Sequence, residues 1–213
     1  MSPLSSVAFV AAMVVGFMLA ELRVSLQNER RLRAAGAIEP AGDAYRLMAV
    51  LYPASFVVMA IEGAWRASPA SMSGDGPSSF SAAASGVVLF AASKVLKYWA
   101  IRSLGERWSF RVLVQPGRPL VRTGPYAFLA HPNYVAVVGE LVATAMMVGA
   151  PVSGPIMLVV FGVVLWRRVQ FESSVLAATV TVATAGSEPF STDRVEKGTE
   201  RVAVSATSDQ RKA

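Results

Sequence analysis

Apolar residues fall into five blocks along the chain, and arginine-rich stretches separate several of them. The blocks span residues 4–22, 45–65, 80–101, 132–148 and 155–171. A helix of about 20 apolar residues is long enough to cross the hydrocarbon core of a bilayer. The spacing therefore predicts an all-α, polytopic membrane bundle of about five transmembrane helices, the last two joined as a hairpin by a turn at residues 149–155.

Composition supports this interpretation and excludes several classes of protein. The chain has 213 residues, of which 54% are hydrophobic and 16% charged, against roughly 25% charged in an average soluble domain. The net charge of +6 lies mostly beside apolar blocks, which is typical of a membrane face and not of nucleic-acid binding. With no cysteine and a single histidine, His131, we expect no disulfide and no metal site.

The distribution of basic residues predicts the topology. Residues 23–46 and 102–126 carry five arginines each, residues 66–79 carry one, and the 149–155 turn carries none. Under the positive-inside rule, this alternation places the N-terminus outside and the C-terminus in the cytoplasm, as in a multi-pass protein of a bacterial inner membrane. We expect residues 1–176 to form the membrane domain and residues 177–213, rich in Ser, Thr and mixed charge, to form a mobile cytoplasmic tail.

The stretch from Arg122 to Tyr134 is a candidate site at the start of the fourth block. Gly124-Pro125 favours a turn, and Pro132 suits the first position of a helix that begins just after His131. Free backbone N–H groups at a helix start favour an anionic ligand. The alternative is a plain loop-to-helix entry with a capping histidine.

Glu140 is a second candidate, because an acid in the middle of a span costs roughly 2.5 kcal/mol or more. Asn133, Glu140 and Thr144 share one helical face, which should point into the bundle. The alternative is a structural role for Glu140 as the partner of a basic residue on the third helix. The candidate partners are Lys94, Lys97 and Arg102.

Arg168 and Glu172 lie four residues apart at the end of the fifth block, where they can pair along a helix. An interfacial anchor with its counter-ion is the alternative for this pair.

Taken together, these segments resemble the isoprenylcysteine carboxyl methyltransferase family over about residues 20–176. The resemblance rests on Gly124-Pro125-Tyr126, on His131-Pro132-x-Tyr134, and on Arg168-x-x-x-Glu172-x-x-x-Leu176 after a helical hairpin. Stretches similar to a bacterial branch of the family are Glu21–Arg30, Gly36-Ala37-x-Glu39, Tyr45-x-x-Met48 and Lys97–Trp108.

The resemblance implies a membrane-embedded methyltransferase that uses S-adenosylmethionine and takes a lipophilic substrate from the bilayer, with the site facing the cytoplasm. It implies catalytic roles for Arg168 and Glu172. We also expect a catalytic role for Glu140, because this acid lies at membrane depth. The expected cofactor-binding residues are Gly124, Pro125, Tyr126, His131, Pro132, Asn133, Tyr134 and Glu172.

Three positions depart from the family pattern. Ala130 stands where the family usually has Arg, Ser173 where it often has a second acid, and Tyr52 where the bacterial branch tends to have His. The expected acceptor is a lipophilic carboxylate or hydroxyl, either prenylcysteine-like or polyketide-like. One alternative is a phospholipid amine N-methyltransferase. Another is a catalytically silent protein of the same fold, which Ala130 and Ser173 favour. A nicotinamide-dependent reductase is a weaker alternative.

Overall fold

Five α-helices make up most of the computed structural model, which describes residues 2–68, 80–115 and 121–185, with side chains to residue 175. The helices are α1 (Pro3–Ala34), α2 (Tyr45–Arg66), α3 (Phe80–Leu104), α4 (Pro132–Val148) and α5 (Ser153–Ala185). Within the described residues, four of them are long and apolar enough to cross a membrane, and α4 is shorter at 17 residues. The predicted helical membrane bundle is confirmed.

Two helices extend further than the apolar blocks predict. The first block ends near Leu22, but α1 continues to Ala34, because Ser25, Asn28 and Glu29 are buried against other parts of the protein. Helix α5 continues past Phe171 to Ala185, so its last turns cross the predicted tail boundary at residue 177. Residues 186–213 of the predicted tail, and residues 69–79 of the predicted outer loop, lie outside the described residues.

Helices α3 and α4 approach closely through glycines. A Cβ added to Gly86 on α3 would lie 2.8 Å from the carbonyl oxygen of Ala143, and one added to Gly139 on α4 would lie 2.2 Å from Ser93 Oγ. Small residues allow helix backbones to approach in membranes, where no hydrophobic effect drives helices together. This contact holds α4 at the centre of the bundle.

The hairpin between α4 and α5 is confirmed. Helix α4 ends at Gly149, whose φ of 69° is left-handed and accessible to glycine at little cost. Glu62 at the end of α2 then accepts hydrogen bonds from the backbone N–H of Val152 at 3.1 Å and of Ser153 at 2.6 Å. These contacts fix the start of α5 against α2.

The core lies along the axis of the bundle, and many large apolar side chains face outward. Phe56, Met59, Phe90, Leu141 and Phe161 are buried together. Outward-facing apolar residues include Val50, Ile61, Val88, Val95 and Trp166, each more than half exposed. An apolar outer surface of this extent fits contact with lipid tails.

Candidate active site

A cavity of about 800 Å³ opens at the end of the bundle where α1 and α3 finish and α2 and α4 begin, which we call the arginine-rich end. All five helices contribute to its lining. The cavity extends from Arg122 and His131 at this end to Lys97 and Phe161 deeper in the bundle. Its volume lies within the range of roughly 300–1,000 Å³ that is usual for sites that enclose small molecules.

The segment 107–115 after α3 forms part of the cavity wall, and every residue in it contributes to the lining. We call this segment the strap. Asn28 on α1 donates hydrogen bonds to the carbonyl oxygen of Trp108 at 2.8 Å and of Gly105 at 3.2 Å. The backbone N–H of Phe110 donates to Ser25 Oγ at 2.8 Å. The polar extension of α1 therefore serves to hold the strap.

A second set of contacts holds the far half of the strap. Arg111 pairs with Glu39 at 2.6 Å and with Glu29 at 3.3 Å, and its guanidinium lies 4.3 Å from the centre of the Tyr45 ring. Partial burial raises the pKa of Glu39, but hydrogen bonds from Arg111 and Arg33 outweigh burial and leave the pKa below its ordinary value. Glu39 therefore stays ionised and keeps Arg111 in place.

Arg168, Tyr134 and Glu172 form a connected polar group on one side of the cavity. Arg168 Nε donates to the Tyr134 hydroxyl at 2.9 Å, and that hydroxyl donates to Glu172 Oε2. Arg168 is only 5% exposed, and its Nη2 donates to the carbonyl of Phe110 in the strap and lies 3.6 Å from Asp43. The predicted association of Arg168 with Glu172 thus runs through a tyrosine on α4.

His131 lies beside this group. Its ring stacks on Tyr134 with 5.4 Å between centroids, and its Nε2 lies 3.3 Å from Ser173 Oγ. Ser173, which departs from the family pattern, thus contacts the predicted cofactor-binding histidine. Burial, and secondarily the charge of Glu172, raises the pKa of Tyr126 well above its ordinary value, so Tyr126 remains a hydroxyl donor.

Besides Glu21 Oε2, which forms an ion pair with Lys97, two buried acceptors in the cavity lining lack a hydrogen-bond partner among the described residues. They are Asn133 Oδ1, at the start of α4, and Gln115 Oε1, at the end of the strap. Buried polar atoms are nearly always hydrogen-bonded, so an unpaired acceptor in a cavity wall indicates a ligand or water that carries donors.

The structure separates the predicted cofactor residues into two groups. Tyr126, His131, Pro132, Asn133 and Tyr134 line the cavity, together with Glu172 and Arg168. Gly124 and Pro125 are not part of the lining; they belong to a short 3-10 helix that packs on the end of α3. Gly124 has φ of 62°, and a Cβ there would lie 2.1 Å from Ser103 Oγ, so its place is to shape the loop.

Glu140 lies in a buried group of four charges, which we call the quartet: Glu21, Lys94, Lys97 and Glu140. Lys94 Nζ lies 2.6 Å from Glu21 and 3.1 Å from Glu140, and Lys97 Nζ lies 2.8 Å and 3.1 Å from the same two acids. Each side chain is at most 7% exposed. The Tyr52 hydroxyl donates to Glu140 Oε2.

This arrangement changes the interpretation of Glu140. The structure shows the alternative interpretation, in which Glu140 pairs with Lys94 and Lys97 of the third helix, whereas Arg102 is exposed. Of the described residues around the quartet, Glu21, Lys97 and Tyr52 line the cavity, and Glu140 does not. Glu140 therefore reaches the cavity only through its hydrogen bond with Tyr52. The predicted catalytic role requires a direct contact with a reacting group, and the position of Glu140 does not provide one.

Several residues that hold the strap or line the cavity were not predicted from the sequence. Asn28, Glu29 and Ser25 follow Glu21 at helical spacing on α1, and this polar stripe beyond an apolar block could have indicated a protein contact. Met48 and Phe161 carried no polar signal at all. Apart from Arg107, which ends a short 3-10 helix, the strap has no helix or strand, so neither helical nor strand periodicity indicates it.

Comparison with known proteins agrees with the residues assembled here. The model of the isoprenylcysteine carboxyl methyltransferase (ICMT) family matches residues 86–178. "Uncharacterized protein YpbQ" of Bacillus subtilis (strain 168) is 30% identical over 157 residues, which cover 74% of this chain and 88% of that protein. An "Uncharacterized protein" of Haemophilus influenzae is 22% identical over 167 residues, covering 78% and 92%. No solved structure matches the chain.

The matched region contains α4, the residues from Arg168 to Glu172, and the loop between α3 and α4. These are the parts that enclose the arginine-rich end of the cavity. The chain belongs to the isoprenylcysteine carboxyl methyltransferase family, a family of membrane methyltransferases.

Proposed function

We propose that this protein transfers a methyl group from S-adenosylmethionine to a carboxylate or hydroxyl oxygen of a lipophilic acceptor. The observation that carries the proposal is a cavity that joins a polar end around Arg168, Tyr134 and Glu172 to an apolar section inside the bundle. A site that binds a polar cofactor and a lipid together needs both parts.

The polar end fits the cofactor's functional groups. Asn133 Oδ1 and Gln115 Oε1 lack donors among the described residues, and the cofactor carries donors on its adenine, ribose and α-amine. The carboxylate of Glu172 can hold that cationic amine. Bound there, S-adenosylmethionine would supply an electrophilic methyl group on a sulfonium.

Arg168 is suited to an anionic group of the cofactor or the acceptor. Its Nε and Nη2 donate to protein oxygens, whereas its Nη1 faces the thioether sulfur of Met48 at 3.7 Å. A thioether is a weak acceptor, so a ligand carboxylate can replace it with a charge-assisted hydrogen bond. Because Ala130 stands where the family usually has Arg, Arg168 is the guanidinium that we assign to this task.

The apolar section suits the acceptor's tail. It is lined by Met18, Met48, Val137 and Phe161, among others. Leu19 on α1 and Ala49 on α2 line the cavity and are exposed, and we place the entry of the lipid between these two helices. Prenyl and long alkyl or polyketide chains fit this description.

Methyl transfer of this kind relies chiefly on positioning. A lone pair of the acceptor oxygen forms the new bond to carbon while the carbon–sulfur bond breaks, and its electrons remain on sulfur. A carboxylate or an acidic enol enters as the anion and needs no strong base, so orientation supplies most of the rate. Because arginines are most frequent in the segments at this end, we place the arginine-rich end on the cytoplasmic side of a bacterial inner membrane.

The test is to incubate membranes that contain the protein with methyl-labelled S-adenosylmethionine and to extract the lipids. We expect a lipid-soluble label that depends on Glu172, with Glu172→Gln losing it and the exposed Glu106→Gln, in a surface pair with Arg31, retaining it. A base-labile label indicates an ester and a base-stable label an ether. A label on a phospholipid amine would establish the N-methyltransferase alternative, and no label with intact protein would establish a silent fold.

A further inference from the structure

The deep end of the cavity is polar, although it lies within an apolar bundle. Tyr52 on α2 and Lys97 on α3 line the cavity there, and behind Tyr52 lies Glu140, whose Oε2 accepts the Tyr52 hydroxyl hydrogen bond. Lys97 is held by Glu21 and Glu140, but the Tyr52 oxygen keeps lone pairs that can accept a hydrogen bond, and an alkyl or prenyl tail has no donor to offer them. The position of these groups therefore calls for a polar part of the acceptor at this depth.

We propose that Tyr52 and Glu140 accept the proton of a neutral hydroxyl acceptor, and that Lys97 stabilises the resulting oxyanion. This inference rests on the proposed methyl transfer and selects its acceptor class. It also gives Glu140 an indirect role, as a positioning and proton-holding residue behind Tyr52, which makes the contact with the acceptor.

The proton path uses hydrogen bonds that are already arranged. The Tyr52 hydroxyl donates a hydrogen bond to Glu140. The lone pairs of the Tyr52 oxygen are therefore free to accept a hydrogen bond from the hydroxyl of the methyl acceptor in the cavity. The acceptor's proton moves to the Tyr52 oxygen as the original Tyr52 proton moves to Glu140. The acceptor oxygen, now an anion, would form its bond to the methyl carbon as the carbon–sulfur bond breaks and leaves its electron pair on sulfur. The proton on Glu140 then leaves to solvent.

The charges around Glu140 favour a neutral acceptor over an anionic one. Glu21 faces it from α1, Tyr52 from α2, and Lys94 and Lys97 from α3, while α5 contributes the apolar Phe161 against the Tyr52 ring. Two lysines and two glutamates balance, so a carboxylate brought here would be an unpaired charge. When Glu140 is protonated, the quartet gains one positive charge beside the new oxyanion.

The deep end lies within reach of the polar end. Met48 and Tyr52 are four residues apart on α2, so their side chains are neighbours about 5–6 Å apart. Met48 Sδ lies 3.7 Å from Arg168 Nη1. An acceptor oxygen at Tyr52 is therefore about one helical turn from the residues that we assign to the cofactor.

The experiment compares Tyr52→Phe with Tyr98→Phe, a matched change at a tyrosine of α3 that does not line the cavity. Both purified variants are measured for S-adenosylmethionine binding in detergent and for methyl transfer to lipids extracted from the host membrane, across a range of pH. We expect Tyr52→Phe to bind the cofactor normally and to transfer methyl about 100-fold more slowly at neutral pH, the order of loss for general-base removal. The deficit should shrink as pH rises, because solution hydroxide then ionises the acceptor.

Glu140→Gln should show the same pH-dependent deficit, with its folding checked by thermal unfolding; Tyr52→Phe alone decides the question if Glu140→Gln does not fold. Any of three results would overturn the proposal and leave the methyltransferase function intact. These are a Tyr52→Phe rate equal to that of Tyr98→Phe, a Tyr52→Phe deficit that is constant with pH, and a base-labile ester product. A wild-type protein that neither binds the cofactor nor labels lipid would instead overturn the proposed function itself.

Discussion

Asn28 and Trp108 are 80 residues apart in the chain, yet the Asn28 side-chain amide donates a 2.8 Å hydrogen bond to the Trp108 carbonyl oxygen. Both residues are buried, Asn28 to 7% exposure and Trp108 to 2%. Through this contact the extension of α1 fixes the strap in the cavity wall. The shape of the polar end thus depends on a helix that contributes few residues to that end itself.

Replacing Asn28 should therefore weaken both the fold and the site. Asn28→Ala leaves the carbonyls of Trp108 and Gly105 without this donor, and we expect a loss of about 1–3 kcal/mol in the free energy of unfolding. Affinity for S-adenosylmethionine should fall about tenfold if ordering the strap costs about 1.4 kcal/mol. The neighbouring exposed Gln27→Ala is the control in both assays, and equal behaviour of the two variants would contradict this role of the strap.

The quartet should show strong coupling between its members. Lys94→Met leaves Glu21 and Glu140 sharing one lysine in a buried site, and we expect a loss of about 3–5 kcal/mol. Adding Glu21→Gln restores the charge balance and should recover part of that loss. Thermal unfolding in detergent of the two single variants and the double variant gives the coupling energy, and strictly additive effects would mean that the four charges do not act as a unit.

The close approach of α3 and α4 predicts a difference between two glycines. Gly86→Ala places a Cβ 2.8 Å from the Ala143 carbonyl oxygen, so we expect a loss of about 1–3 kcal/mol. Gly162 on α5 has open space around it, and Gly162→Ala should be neutral or stabilising by up to about 1 kcal/mol, owing to better helix propensity. Equal unfolding temperatures for the two variants would argue against this helix contact.

The Arg111–Glu39 pair should make stability depend on acid pH. Because the pKa of Glu39 is lower in the folded protein than its ordinary value of 4.5, the pair stabilises the fold above that pH. This contribution is lost as pH falls through the lower folded-state pKa. Glu39→Gln should therefore lower the unfolding temperature near neutral pH and flatten its fall toward acid. Glu106→Gln, in an exposed pair, should leave the curve unchanged.

Much of the fold could be predicted from the sequence, because a helix that crosses a lipid bilayer must be long and apolar. Helix α4 has the predicted bounds, and α2 and α3 differ from prediction only near their ends. The end of α1 was not predicted because Glu21, Ser25 and Asn28 are polar, and hydropathy alone cannot distinguish a polar helix buried in protein from a loop in water.

The candidate site was predicted in part. His131, Tyr134, Arg168 and Glu172 meet in one cavity, as the motif spacing suggested. The contribution of Tyr52 was not foreseen, since it depends on the hydrogen bond to Glu140 that only the packing of α2 on α4 brings about. Spacing along one helix predicts a shared face, but the partner helix decides which side chains fill the site.

The most direct measurement for the central claim is the binding of labelled S-adenosylmethionine to the purified protein in detergent. We predict saturable binding by the wild type that is lost in His131→Ala and Glu172→Gln, which alter the group around Tyr134, and that is retained in Glu106→Gln at the surface. All four proteins should be shown to be folded by thermal unfolding. Folded wild-type protein that does not bind the cofactor, or binding that both cavity variants retain in full, would contradict the account.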